Sequence, residues 1–264
     1  MKKKIIAIIL GTMALFSMLI ISSITTKSDV EAASTADPIF FVPGAYSNVD
    51  SWDKMYQRLD PQGVHPVVKL EVSTNGTVQR TNVRMGKTGE RPFVTINNED
   101  YLWDDQAVYE GANGIDRAIQ SYKTQNPFDK ADIIGQSNGG NQITRYMELY
   151  PSKMFGTFLS TGTPYNMRAD NGAAPTDLLL NLIAGAPRLD PNLKVINCIG
   201  RTPTDLTTDE VVSRDSAMSG RNIFVGNVAS FTNLYFTGDD AIHSHQIESA
   251  QLQQFITKYI NIGN

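Results

Sequence analysis

Short apolar segments alternate along this chain with segments whose apolar residues have helical spacing. Continuous apolar runs typical of buried strands are PIFFVPG at 38–44, PFVTINN at 92–98, ADIIG at 131–135 and KVINCIG at 194–200. From 104 to 125 the apolar residues recur every three or four positions, which predicts an amphipathic helix. Fully apolar strands separated by helices are typical of a parallel sheet covered on both faces. The pattern therefore predicts an α/β fold with a doubly wound, mostly parallel sheet.

The remaining elements fit this scheme. Residues 64–82 read as two strands joined by a turn at Asn75-Gly76, 156–160 and 233–236 as further strands, and 138–150 and 247–260 as helices. A longer connection at 166–192 contains the apolar segment TDLLLNLIAG. It forms either a small cap over a binding site, which would favour lipid-like acyl chains, or an ordinary packing helix. Sites in doubly wound sheets lie beyond the carboxyl ends of the strands.

The first 32 residues have the three-part layout of a secretory signal. Three lysines precede an uncharged apolar run, residues 5–24, and small residues follow around Ala32. We expect a signal peptide cleaved after Ala32 or, because about 20 apolar residues can span a bilayer, an uncleaved membrane anchor. Either alternative places the remaining domain, residues 38–264, outside the cytoplasm, as a secreted or cell-surface protein.

Charge and cysteine content exclude some classes of function. The whole chain carries a net charge of −4, and removing residues 1–32, with four lysines and two acidic residues, takes it to −6. A mildly acidic domain argues against nucleic acid as a partner. The single cysteine, Cys198, lies in an apolar run and is expected to be buried. Three histidines without closely spaced cysteines give no indication of a metal site, and no cofactor is expected.

One serine stands between two glycines where a strand is followed by a helix. In ADIIGQSNGGNQI, residues 131–143, Ser137 lies between Gly135 and Gly139. The segment is either a glycine-rich helix-capping turn or a nucleophile elbow, in which side chains at the glycine positions would collide with the strand and helix. The strand-to-helix context favours the elbow, with Ser137 as the nucleophile.

A serine nucleophile requires a base, for which this chain has three histidines. His243 and His245, in GDDAIHSHQ, lie between the last strand and the last helix, where an elbow fold places its base. His243 is favoured and His245 is the alternative. His65 comes early in the chain, before a proline, and is expected at a surface turn or at the end of a strand.

The base in turn requires an acid that fixes its tautomer. The loop RTPTDLTTDEVVSRDSA, which follows KVINCIG, offers Asp205, Asp209 and Asp215. Asp209 is favoured because the apolar pair Val211-Val212 can anchor its part of the loop, and Asp205 is the next candidate. The oxyanion hole is expected to use the backbone N–H groups of Asn138 and of Ala45, in the turn after the first strand.

Four segments, FFVPGAYSNVDSW, IIGQSNGG, TDEVV and AIHSH, together resemble the secreted or cell-surface α/β-hydrolases of Gram-positive-type bacteria, which are serine esterase/lipase-like proteins. The resemblance covers about residues 38–260. It implies a triad of Ser137, Asp209 and His243 that hydrolyses a small-molecule or lipid-like ester through an acyl-enzyme. The alternatives are a catalytically inactive hydrolase fold that serves as a surface binding module, and an acyltransferase with the same triad.

The chain departs from that family pattern at four positions. Pro43 replaces the histidine that usually precedes the glycine of the first turn, and Glu210 replaces a glycine in the acid loop. Gln136 and Asn138 replace the common neighbours of the nucleophile. None of these changes removes a member of the triad, so they bear on the shape of the substrate more than on the chemistry.

Overall fold

The computed structural model describes residues 36–99 and 104–263, which form an eight-stranded sheet with helices on both faces. The N-terminal segment 1–32, predicted to be a signal peptide or anchor, lies outside the described residues. The strands are β1 (Ile39–Val42), β2 (Val67–Val72), β3 (Val78–Arg84), β4 (Phe93–Asn98), β5 (Ala131–Gln136), β6 (Phe155–Thr161), β7 (Lys194–Ile199) and β8 (Ser230–Tyr235). The helices are α1 (Asp53–Leu59), α2 (Asp105–Gln125), α3 (Asn138–Leu149), α4 (Asp177–Gly185), α5 (Arg214–Met218), α6 (Arg221–Phe224), α7 (His243–Gln246) and α8 (Ala250–Tyr259).

The strand order across the sheet is β3-β2-β4-β1-β5-β6-β7-β8. β2 and β3 pair antiparallel, and every other neighbouring pair is parallel. This arrangement confirms the predicted doubly wound, mostly parallel sheet. The chain builds one half of the sheet after β1 and the other half from β5 onward, so the switch in strand order lies between β1 and β5. Binding crevices form at the carboxyl ends of the strands at such a point.

Alternation along β1 gives the sheet two apolar faces. Phe40 packs edge-to-face on Tyr122 of α2, with ring centroids 5.8 Å apart. On the opposite face, Phe41 packs against Trp52, which precedes α1, and against Tyr56 within α1. The ring centroids are 5.3 and 4.8 Å apart, respectively. Successive side chains of a strand point to opposite faces, so one strand supports two cores. This double burial fixes β1 and the turn that follows it.

Helix α4 belongs to the core of the domain. Leu178, Leu179 and Leu182 are buried in the same apolar cluster as Ile143 of α3, whereas Leu180 is half exposed. Three leucines of this segment therefore contribute to the core. No helix within the described residues has the length and apolar character needed to cross a bilayer.

The last part of the chain differs from the expected single helix at 247–260. The helix begins only at Ala250, because Ser249 caps it by accepting a hydrogen bond from the Leu252 N–H at 3.0 Å. Residues 243–246 form the separate short helix α7. β8 also begins three residues earlier than expected, at Ser230, because its first half pairs with the start of β7.

The expected surface position of His65 is wrong. Its ring stacks on Phe93 with centroids 4.5 Å apart, and its Nδ1 lies 2.9 Å from the Arg91 carbonyl oxygen, so the residue is buried. The expected strand-end position is correct, since His65 precedes β2 by two residues. Cys198 is buried, as predicted.

Glu148 is a buried carboxyl group on α3. It accepts a hydrogen bond from Arg145 at 2.8 Å, but burial outweighs the attraction of Arg145 and Arg188 and raises the pKa of Glu148 to about 8. A carboxyl whose pKa is higher folded than unfolded binds more protons in the folded state. Stability therefore falls as the pH rises from the unfolded pKa, near 4.5, through the folded value.

We expect Glu148→Gln to raise the Tm more at pH 8 than at pH 5. The variant keeps an acceptor for Arg145 and removes the cost of ionising a buried group. Thermal unfolding at both pH values measures the difference, and Glu110→Gln, on an exposed position of α2, is the control. Equal changes in Tm at the two pH values would contradict a raised pKa of Glu148 in the folded protein.

Candidate active site

Ser137 occupies a strained turn between β5 and α3. Its φ is +52° and its ψ is −129°, a conformation that costs free energy for a residue with a side chain. The Ser137 side chain makes no capping hydrogen bond to α3. A Cβ at Gly139 would lie 2.5 Å from the Pro43 carbonyl oxygen, and one at Gly135 would lie 2.9 Å from the Gly140 Cα. The two glycines therefore allow a sharp elbow, and helix capping does not explain the serine.

His243 and Asp209 form a buried hydrogen-bonded pair. The Nδ1 of His243 lies 2.7 Å from Oδ2 of Asp209, and the His243 backbone N–H donates to the Asp209 carbonyl at 2.9 Å. The other carboxylate oxygen of Asp209 accepts from the Val211 and Val212 N–H groups at 3.0 and 2.7 Å. An ionised Asp209 can only accept, so the imidazole donates from Nδ1 and its Nε2 is the acceptor.

The competing candidates have other partners. Asp205 is exposed and accepts from the Thr207 hydroxyl and N–H. Asp215 pairs with Arg214 at 3.1 Å at the start of α5. The exposed ring of His245 lies 3.0 Å from the carbonyl oxygen of residue 239. Of the predicted acids and bases, the structure brings Asp209 and His243 together, and it places these three elsewhere.

Gln246 supports the Asp209 carboxylate and was missed by the sequence reasoning. Its amide nitrogen donates to Oδ2 of Asp209 at 3.0 Å and to the Ala241 carbonyl at 3.2 Å. Its amide oxygen accepts from the Thr161 hydroxyl, at the end of β6, at 2.7 Å. Gln246 is completely buried. The available signal was its position three residues after His243, which places both side chains on one side of a helical turn.

The turn after β1 lies directly against the elbow. A Cβ at Gly44 would lie 2.7 Å from the Cβ of Ser137. Ala45 follows Gly44 in this turn and is half buried, and Asn138, the first residue of α3, is buried. The two backbone donors expected for the oxyanion therefore belong to segments that meet at Ser137.

Gln136 connects the base to this turn. Its amide oxygen accepts from the Gly44 N–H at 3.0 Å, and its amide nitrogen lies 3.3 Å from Nε2 of His243. Within the described residues no hydrogen bond joins Ser137 to His243, and Gln136 is the partner of Nε2. The geometry thus provides a serine on the elbow, itself buried, an oriented imidazole and a buried carboxylate, the groups that acyl transfer requires. No set of three metal-ligating side chains occurs in the described part of the chain.

Residues 26–261 match the family described as "Alpha/beta hydrolase of unknown function (DUF915)". The chain belongs to this family. Two solved structures have the same fold: the lin2722 product of Listeria innocua, and a Lactobacillus plantarum WCFS1 protein provisionally named a cell surface hydrolase. The first is 21% identical with a TM-score of 0.77, covering 87% of this chain and 95% of that protein. The second is 23% identical with a TM-score of 0.76, covering 88% and 94%. No curated protein matches the sequence.

The contacts of Gln246 suggest a test within this DUF915 protein. We expect Gln246→Met to lower kcat for acyl transfer at this site about 5- to 20-fold, with KM changed less than twofold, because Asp209 loses a hydrogen-bond donor worth about 1–2 kcal/mol. The matched variant Thr161→Val removes the partner of the glutamine oxygen and should have a smaller effect. Steady-state kinetics decide the point, and an effect on KM alone would show that Gln246 does not act through Asp209.

Proposed function

We propose that this protein is an exported serine hydrolase of carboxylic esters, with Ser137 as nucleophile, His243 as base and Asp209 as the orienting acid. The observation that best supports the proposal is the buried 2.7 Å hydrogen bond between His243 and Asp209, beside the elbow that carries Ser137. Placing a carboxylate–imidazole pair in the interior costs desolvation. An acyl-transfer mechanism gives a reason for that arrangement.

In the proposed reaction, Nε2 of His243 takes the proton of the Ser137 hydroxyl as its oxygen attacks the ester carbonyl. Asp209 stabilises the imidazolium, and the N–H groups of Ala45 and Asn138 bind the oxyanion. The tetrahedral intermediate collapses, and His243 gives the proton to the departing alcohol. A water molecule, deprotonated by His243, then attacks the acyl-enzyme and releases the acid, which regenerates Ser137.

The substrate class is a small-molecule or lipid-like carboxylic ester. The packing of α4 in the core weakens the argument for an apolar cap and with it the argument for long acyl chains. Export rests on the N-terminal signal or anchor pattern of residues 1–32. The name of the Lactobacillus plantarum relative, a cell surface hydrolase, is consistent with a location outside the cytoplasm.

A fluorophosphonate probe tests this proposal. We expect the probe to label the protein at a single position, and mass spectrometry of the digest to place the adduct on Ser137. A panel of p-nitrophenyl esters of increasing chain length should be hydrolysed in parallel. Protein that neither labels nor cleaves any ester would instead be a catalytically inactive binding module. Labelling at Ser137 with the acyl group recovered on an added alcohol or amine would identify an acyltransferase.

A further inference from the structure

The side chain of Gln136 makes two contacts inside the site. Its carbonyl oxygen accepts a hydrogen bond from the Gly44 N–H of the oxyanion turn at 3.0 Å. Its NH2 group lies 3.3 Å from Nε2 of the base His243. One side chain therefore occupies both the turn after β1 and the acceptor nitrogen of the base.

The contact with His243 is incompatible with the proposed first step. With its Nδ1–H donated to Asp209, the imidazole has one acceptor nitrogen, and that nitrogen has one lone pair. The Gln136 amide and the Ser137 hydroxyl cannot both donate to it. Both Gln136 and His243 are more than nine-tenths buried, so water competes weakly for the contact.

We propose that the Gln136 carboxamide is an autoinhibitory group, which closes the substrate-free site and is displaced when an ester binds. This inference rests on the proposed function and specifies how its site is regulated. Displacement frees Nε2 of His243 for the Ser137 proton and opens the turn that contains Gly44 and Ala45. Only molecules in which Gln136 is displaced can bind an ester. The apparent affinity for the substrate is therefore the intrinsic affinity multiplied by the fraction of such molecules.

Gln136→Met tests this autoinhibition, because methionine has a similar length and cannot make either hydrogen bond. We expect kcat/KM for a short p-nitrophenyl ester to rise about 5- to 30-fold, the effect of losing two weak neutral hydrogen bonds, through a lower KM rather than a higher kcat. The rate constant for fluorophosphonate labelling should rise by the same factor. Gln120→Met, on an exposed position of α2, is the matched control. An unchanged or lower kcat/KM in a folded Gln136→Met variant would overturn the proposal.

A second measurement uses the wild-type protein, so it still tests the proposal if the Gln136→Met variant does not fold. In a crystal structure of the Ser137 phosphonate adduct, we expect the Gln136 amide nitrogen to have moved out of hydrogen-bonding distance of His243. An adduct in which that contact remains would overturn the proposal. If the wild type neither labels nor cleaves esters, the proposed function fails, and the proposed autoinhibition fails with it. Labelling combined with an unmoved Gln136 disproves the autoinhibition alone.

Discussion

Replacing Ser137 with alanine should lower kcat for a short p-nitrophenyl ester by about 10⁴- to 10⁶-fold. Losses of this size follow removal of the nucleophile in serine hydrolases, where the remaining rate comes from the oxyanion donors and substrate binding. Alanine removes only the hydroxyl, and it has the same Cβ as serine in the strained turn with φ +52°. The substitution should therefore abolish fluorophosphonate labelling and leave the fold unchanged.

The control for this variant is Ser121→Ala, which removes a hydroxyl from α2 and should keep full activity. Thermal unfolding of both variants should match that of the wild type within a few degrees. A Ser137→Ala protein that retains more than about one hundredth of the wild-type kcat would exclude Ser137 as the nucleophile, because no other group in the elbow can form the acyl-enzyme.

The fold was predictable because apolar periodicity records burial. The parallel strands are apolar on both faces, and such continuous apolar runs can be recognised in the sequence alone. Helix α1 was not predicted, although Trp52, Met55, Tyr56 and Leu59 have helical spacing. Its seven residues are too few for a helix to be stable without the aromatic contacts with β1. The buried position of His65 depends in the same way on a partner, Phe93, that is distant in the chain.

The site was predictable only as far as it is local in sequence. The glycines around Ser137 indicate the elbow, because the backbone there approaches other segments too closely for a Cβ. The sequence could rank Asp209 above Asp205 but could not decide between them, since the choice depends on which carboxylate reaches His243 after folding. The contacts of Gln246 with Asp209 and Thr161 could not be predicted for the same reason, because these partners lie 37 and 85 positions away in the chain.

Asp209→Asn should lower kcat by about 10⁴-fold, which is the effect of the corresponding change in a serine protease triad. The asparagine oxygen can still accept from the Val211 and Val212 N–H groups, so the loop keeps its anchor. The amide NH2 group would then face His243 and donate to Nδ1. The imidazole proton would move to Nε2, where it prevents the ring from accepting the proton of Ser137.

The same substitution removes one of the two acceptors of the Gln246 amide, because the new NH2 group faces the amide nitrogen that donates to Asp209 in the wild type, and only the Ala241 carbonyl remains. We therefore expect the free energy of unfolding to fall by about 1–3 kcal/mol, a loss that denaturant titration can measure separately from kcat. Asp205→Asn, at an exposed position, should change either quantity by no more than about 0.5 kcal/mol, or roughly twofold in rate. If Asp205→Asn instead caused the larger loss of kcat, the acid would be Asp205, and the buried Asp209–His243 pair would have a structural role alone.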